Sequence, residues 1–90
     1  MHPTLARHAE QIRSITPDAE LEYGQVNDEG LVNDVIIIGD RVFRFARTDA
    51  GARALQTELE ILDRVRPRLT VAVPTPFHRS PNAVAYRRLP

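Results

Sequence analysis

The chain is expected to fold as an α+β domain, an antiparallel sheet of about five strands with one packed helix and an additional N-terminal helix. Three observations predict this. The periodicity runs in the order helix, three strands, helix, two strands. Gly39-Asp40 separates two apolar, β-branched or aromatic segments by the length of a tight hairpin. A long helical stripe begins just after the third strand. Residues 1–90 read as one domain, with no internal repeat and no low-complexity tract.

Residues 3–15 have Leu5, His8, Ile12 and Ile15 at near-helical spacing; Pro3 suits the first turn and Thr16-Pro17-Asp18 stops the helix. Ala19–Val26 alternates loosely and reads as a first strand, followed by a turn at Asn27–Gly30. Leu31–Ile38 reads as the second strand, and Arg41–Ala46 as the third. Thr48 or Asp49 can cap a helix running to about Val65, ended by Pro67. Thr70–Pro76 is extended. Phe77–Ser80 and Ala83–Leu89 then read as two strands around Pro81-Asn82.

A two-residue turn at Gly39-Asp40 sets Ile38 opposite Arg41, Ile37 opposite Val42, Ile36 opposite Phe43 and Val35 opposite Arg44. Directly opposed residues share a face. Val35, Ile37, Val42 and Arg44 therefore lie on one face, and Ile36, Phe43 and Phe45 on the other. The second set is wholly apolar and reads as core. The first is an apolar floor ending in a cation, which suits a purine followed by its phosphates, although Val35, Ile37 and Val42 also suit plain core.

On a helical wheel Ala54, Leu55, Leu59, Ile61, Leu62, Val65 and Leu69 occupy one arc of roughly 160°, with Glu58 near its middle and Glu60 pointing away. A carboxylate within a buried stripe requires a cation. Arg44 is the candidate, within salt-bridge distance or across one water. From periodicity alone the pair is as much a structural ion pair as a functional one.

Composition narrows the classes. The formal net charge is zero, which argues against nucleic acid or an anionic membrane as the main partner. Absence of cysteine excludes a disulfide framework and a thiolate metal site. The longest apolar run, Val35–Ile38, is far too short to span a bilayer, and the N-terminus has no signal-length apolar core, so a cytoplasmic location is expected. All twelve basic residues are arginine, so a cation facing a phosphate must be a bidentate guanidinium. His2, His8 and His78 lie in no metal-ligand spacing, and no Ser-His-Asp set is visible.

Gly30-Leu-Val-Asn-Asp-Val35, Arg41-Val-Phe-Arg-Phe-Ala-Arg47, Glu58-Leu-Glu-Ile-Leu62, Val73-Pro-Thr-Pro76 and Tyr86-Arg-Arg-Leu-Pro90 together resemble the N-terminal lobe of the aminoglycoside phosphotransferase family. These are small-molecule kinases with a protein-kinase-like fold. The resemblance covers roughly residues 20–90 and implies a kinase-like N-lobe. It also implies that Arg44 holds nucleotide phosphates, that Glu58 orients Arg44, and that the turn at 27–33, with Gly30 and Asn33, covers the phosphates. Val35, Ile37 and Val42 would floor the base site. Tyr86, Arg87, Arg88 and Leu89 would form the hinge, with hydrogen bonds to the base from its main chain and Tyr86 behind the base.

The loop has one glycine where protein kinases have three. The family's His-Gly-Asp catalytic loop and its magnesium-binding aspartate belong to a second lobe, and neither is found in these 90 residues, so no catalytic residue is assigned here. The expected ligand is ATP or GTP with Mg2+, bound weakly or not at all by these residues alone. The expected partners are a chain carrying the C-terminal lobe, or a second copy, through the open cleft face. The alternatives are a truncated, non-catalytic remnant and an interaction module pairing through that face.

Overall fold

The computed structural model describes residues 1–29 and 33–88. Helix α1 spans Pro3–Ile15, with Pro3 in the first turn and the His2 ring accepting from Thr4 N. A short 3₁₀ turn, Leu21–Tyr23, leads into β1, Gln25–Asn27. Strand β2 is Asn33–Ile38 and β3 is Arg41–Ala46. Helix α2 is Asp49–Val65, followed by a 3₁₀ turn at Arg66–Arg68. Strands β4, Pro76–Ser80, and β5, Ala83–Arg87, close the fold. The five strands form one antiparallel sheet in the order β1-β2-β3-β5-β4, which is the α+β architecture expected.

The hairpin register is the one deduced from the turn: Val35 faces Arg44, Ile36 Phe43, Ile37 Val42, and Ile38 Arg41. Gly39 has φ 61°, and among the described residues no other residue has positive φ, which fits a turn with glycine at its first central position. The β5 pairing continues the alternation across β3, with Val84 beside Arg44 and Tyr86 beside Val42.

The two faces are covered by different helices. Leu5, Ala9 and Ile12 of α1, with Leu21, pack on Ile36, Ile38, Phe43, Phe45, Ala83 and Ala85. On the other face Leu55 and Leu59 of α2 pack on Val84 and Tyr86. The α1 side holds the larger core, although that face is not wholly apolar, since Asp34 is buried on it. Helix α2 is capped by Thr48, whose hydroxyl accepts from Gly51 N at 2.9 Å.

Three expectations change. Ala19–Val26 is not one strand: Leu21 is drawn into the α1 core within a 3₁₀ turn, and only Gln25–Asn27 pairs. The last strand ends at Arg87, and Leu89 lies outside the described residues. The buried stripe of α2 is narrower than the predicted arc. Gly51, Leu55 and Leu59 are buried, whereas Ala54, Ile61 (52% exposed) and Leu69 face solvent. Leu69 follows the 3₁₀ turn and so leaves the wheel altogether. The buried direction is centred on Leu55, and Glu58 stands roughly 60° to one side of it.

Candidate functional site

Arg44 lies on the α2 face of the central strand β3, between Val35 and Val84. Its NH1 is 3.0 Å from Glu58 Oε2, so strand and helix are joined by the expected ion pair. The pair is not deeply buried. The Arg44 side chain is 23% exposed and that of Glu58 46%. Glu58 occupies the edge of the packed stripe rather than its centre, which leaves its carboxylate in water.

Arg44 lines two small cavities. One, about 240 Å³, is lined by Asn33, Arg44, Ala54, Leu55 and Glu58. The other, about 220 Å³, is lined by Arg44, Leu59, Leu62, Pro74, Pro76 and Tyr86. The first carries the polar side chains of Asn33, Arg44 and Glu58 and borders the start of β2; the second is mainly apolar. Asn33 Oδ1 is buried without a hydrogen-bond partner among the described residues. Broader concavities lie on the solvent side of α2. The largest, about 570 Å³, is lined by Gln56, Glu60, Asp63, Arg79, Ser80 and Pro81, where Arg79 already meets Asp63 at 2.8 Å. Its one cation is thus already matched among the described residues, and the Glu60 carboxylate would disfavour a phosphate there.

The structure brings Asn33, Val35, Ile37, Val42, Arg44 and Tyr86 to one face of the sheet, with Glu58 above it. Val35, Ile37 and Tyr86 are half-buried. Val42 is only 7% exposed, because it sits in the central strand between Ile37 and Tyr86. Val42 is therefore closed off from solvent on this face, whereas Val35 and Ile37 stay partly open. Arg87 pairs with Arg41, so its side chain lies on the opposite face, exposed and 3.1 Å from Asp40. Any base contact from Arg87 is thereby confined to its main chain. Gly30 and Leu89 lie outside the described residues.

Sequence reasoning passed over Asp34. Its register places it on the α1 face opposite Phe45, and it is 3% exposed. His8 Nε2 lies 2.9 Å from Oδ2, Arg47 Nε donates to Oδ1 at 2.7 Å, and Arg7 NH1 is 3.5 Å from Oδ2. The His8 ring is stacked on Phe45 at 4.1 Å. Burial alone would push the Asp34 carboxyl up; the hydrogen bonds from His8 and Arg47, with their charges, outweigh it and hold the carboxyl below its usual range. A carboxyl with a folded pKa below its unfolded value, about 3.9, stabilises fully above that value and loses its contribution as pH falls through the folded pKa. Urea melts should therefore show the wild type losing stability below about pH 4 more steeply than Asp34→Asn. Parallel pH curves for the two would contradict the buried-carboxylate account.

The exposure of Glu58 sets its stability effect. Half-exposed ion pairs contribute up to about 1 kcal/mol, so Glu58→Ala should cost about 0.5–1 kcal/mol, well below the figure for a buried pair. Glu60→Ala, on the solvent side, should stay within about 0.5 kcal/mol. Urea midpoints of the two variants measure this difference, and a loss of several kcal/mol for Glu58→Ala would show the pair to be sequestered from water.

No protein-family model matches the chain, nor does any curated protein. Solved structures do. The GDP complex of wild-type aminoglycoside 2'-phosphotransferase-IIIa superposes with TM-score 0.74 at 29% identity, over 92% of this chain and 30% of that one. The GDP and kanamycin complex of APH(2")-IIia gives TM-score 0.73 at 27% identity, over 91% and 30%. Macrolide 2'-phosphotransferase MphH from Brachybacterium faecium, an apoenzyme, matches in fold with TM-score 0.71 at 22% identity, over 100% and 31%. The chain thus spans about 30% of the length of these structures, and its fold is that of the kinase-like N-terminal lobe of aminoglycoside phosphotransferases.

Proposed function

We propose that the chain is the nucleotide-binding lobe of a small-molecule kinase that transfers the terminal phosphoryl group of ATP or GTP to a hydroxyl. The observation that carries this is the Arg44–Glu58 pair at 3.0 Å, which lines a cavity with Asn33 while Arg44 also lines a second, apolar cavity with Tyr86. Solved structures that share this fold at 27–29% identity are GDP complexes, which supports the same reading.

The residues fit such a ligand. Among the described residues Asn33 Oδ1 lacks a partner and lies beside Arg44 in the cavity they share, and rotation of the amide would offer its NH2 instead. Arg44 would hold phosphate oxygens through its planar fork, with Glu58 fixing the direction of the fork. Val35 and Ile37 would floor the base, Tyr86 would back it, and the main chain near Arg87 would bond its edge. Bound nucleotide with Mg2+ would supply the phosphoryl group and charge neutralisation. The activating aspartate and the metal ligands are assigned to a second lobe, and among the described residues no cluster of three His, Asp or Glu side chains is placed to hold a metal. The half-buried apolar face around Val35, Ile37, Leu62 and Tyr86 would receive that lobe.

Complementation tests the reading. Alone, the chain should transfer no phosphate from ATP or GTP to kanamycin or a macrolide. Mixed with an aminoglycoside 2'-phosphotransferase lacking the segment that this chain matches, it should restore transfer, and Ile37→Glu should abolish that rescue. Turnover by the isolated chain that Arg44→Ala removes would overturn the assignment of the chemistry to a second lobe.

A further inference from the structure

The turn joining β1 to β2 is gripped at both feet from the far side of the sheet. Asp28 precedes it and Asp34 follows it. Arg47 reaches both: its Nε donates to Asp34 Oδ1 at 2.7 Å, and its NH2 donates to the Asp28 main-chain oxygen. Helix α1 also reaches both. Thr4 Oγ1 donates to Asp28 Oδ2 at 2.8 Å, His2 Nε2 lies 4.0 Å from the same oxygen, and His8 and Arg7 meet Asp34 Oδ2.

We propose that Asp34, Arg47 and the polar face of α1 form a positioning staple that holds Asn33 in the cavity it shares with Arg44 and Glu58, so that docking of α1 governs how well that cavity is formed. The functional sense of the staple rests on the nucleotide role proposed for that cavity. Alternation along β2 makes the connection. Asn33 points to the cavity it shares with Arg44 and Glu58, while Asp34, the next residue, points to the staple. Fixing Asp34 fixes the main chain that carries Asn33.

A mere brace for α1 would not need this set. Leu5, Ala9 and Ile12 already bury the helix against the sheet. What the polar groups add is a bridge between the two ends of one turn, made by a single guanidinium. Lysine keeps the charge but is a point donor without the fork, so Arg47→Lys should release one foot. Thr4→Val is close to isosteric and removes only the hydrogen bond to Asp28.

Amide hydrogen exchange of the 90-residue chain, read by NMR, tests the staple. The variants are Arg47→Lys, Thr4→Val and, as a control that weakens the core without touching the staple, Ile36→Val. In Arg47→Lys the amides of Asp28, Glu29, Asn33 and Asp34 should exchange about tenfold faster relative to those of Phe43 and Ala85. Thr4→Val should shift Asp28 and Glu29 the same way by about threefold. Ile36→Val should move turn and core together. Equal acceleration of turn and core in all three variants would overturn the staple. GDP with Mg2+ should slow the same turn amides in the wild type and not in Arg47→Lys. A staple visible by exchange, with no response to GDP in the wild type, would instead overturn the nucleotide role of the cavity at Asn33 and Arg44.

Discussion

Asp34→Ala is expected to destabilise the chain by about 2–4 kcal/mol, measured as a shift in the urea midpoint at neutral pH. Removing one member of a buried charge cluster leaves its partners without compensation. Here His8 is nearly buried, Arg47 is partly buried and Arg7 is mostly exposed, so the cost falls below that of a fully enclosed pair. A chain of 90 residues has on the order of 5–10 kcal/mol to lose, which makes this a large fraction. The loss should be greatest near neutral pH and shrink below about pH 4, where the wild-type carboxyl also becomes protonated. A change under about 0.5 kcal/mol would mean that His8, Arg47 and Arg7 are solvated equally well without Asp34.

The second large effect concerns binding. Arg44→Ala should weaken nucleotide binding by the reconstituted two-lobe assembly about 10–100-fold, the worth of one charge-assisted contact. Its stability cost should stay near 1 kcal/mol, because the ion pair it breaks is open to water. Arg44→Lys should recover part of the affinity, since it restores the charge but not the bidentate geometry. Glu58→Gln should act in the same direction and more weakly, because it loosens the orientation of Arg44 without removing the cation. Calorimetry with GDP and Mg2+ separates these variants from one another.

Much of the arrangement was legible before any coordinates. Gly39-Asp40 fixed the hairpin length, and from that alone the facing of Val35 by Arg44 and of Ile36 by Phe43 followed. The same register contained the Asp34 cluster. An aspartate on the face shared by Ile36 and Phe45 needs partners, and His8 was already on the apolar stripe of α1. What hid it was proximity to a turn, where Asn-Asp usually serves local hydrogen bonding. The α2 stripe was read too wide for a different reason. Hydrophobic periodicity gives the face that can be buried, not how much of it meets a partner. Ile61 and Ala54 stay exposed because the sheet covers only the arc centred on Leu55. Ala19–Val26 failed as a strand because its weak alternation competes with one strong anchor, Leu21. No sequence signal distinguishes those outcomes.

The most direct test of the nucleotide assignment is a titration of GDP with Mg2+ into the isotopically labelled chain, followed by amide chemical shifts at ligand concentrations high enough to reveal weak binding. Shifts are predicted at Asn33, Val35, Ile37, Arg44, Glu58 and Tyr86, with Ile36, Phe43 and Ala85 on the α1 face undisturbed, and with the whole pattern lost in Arg44→Ala. Shifts confined to the solvent side of α2 around Gln56, Asp63 and Arg79, or a pattern that survives Arg44→Ala, would contradict it.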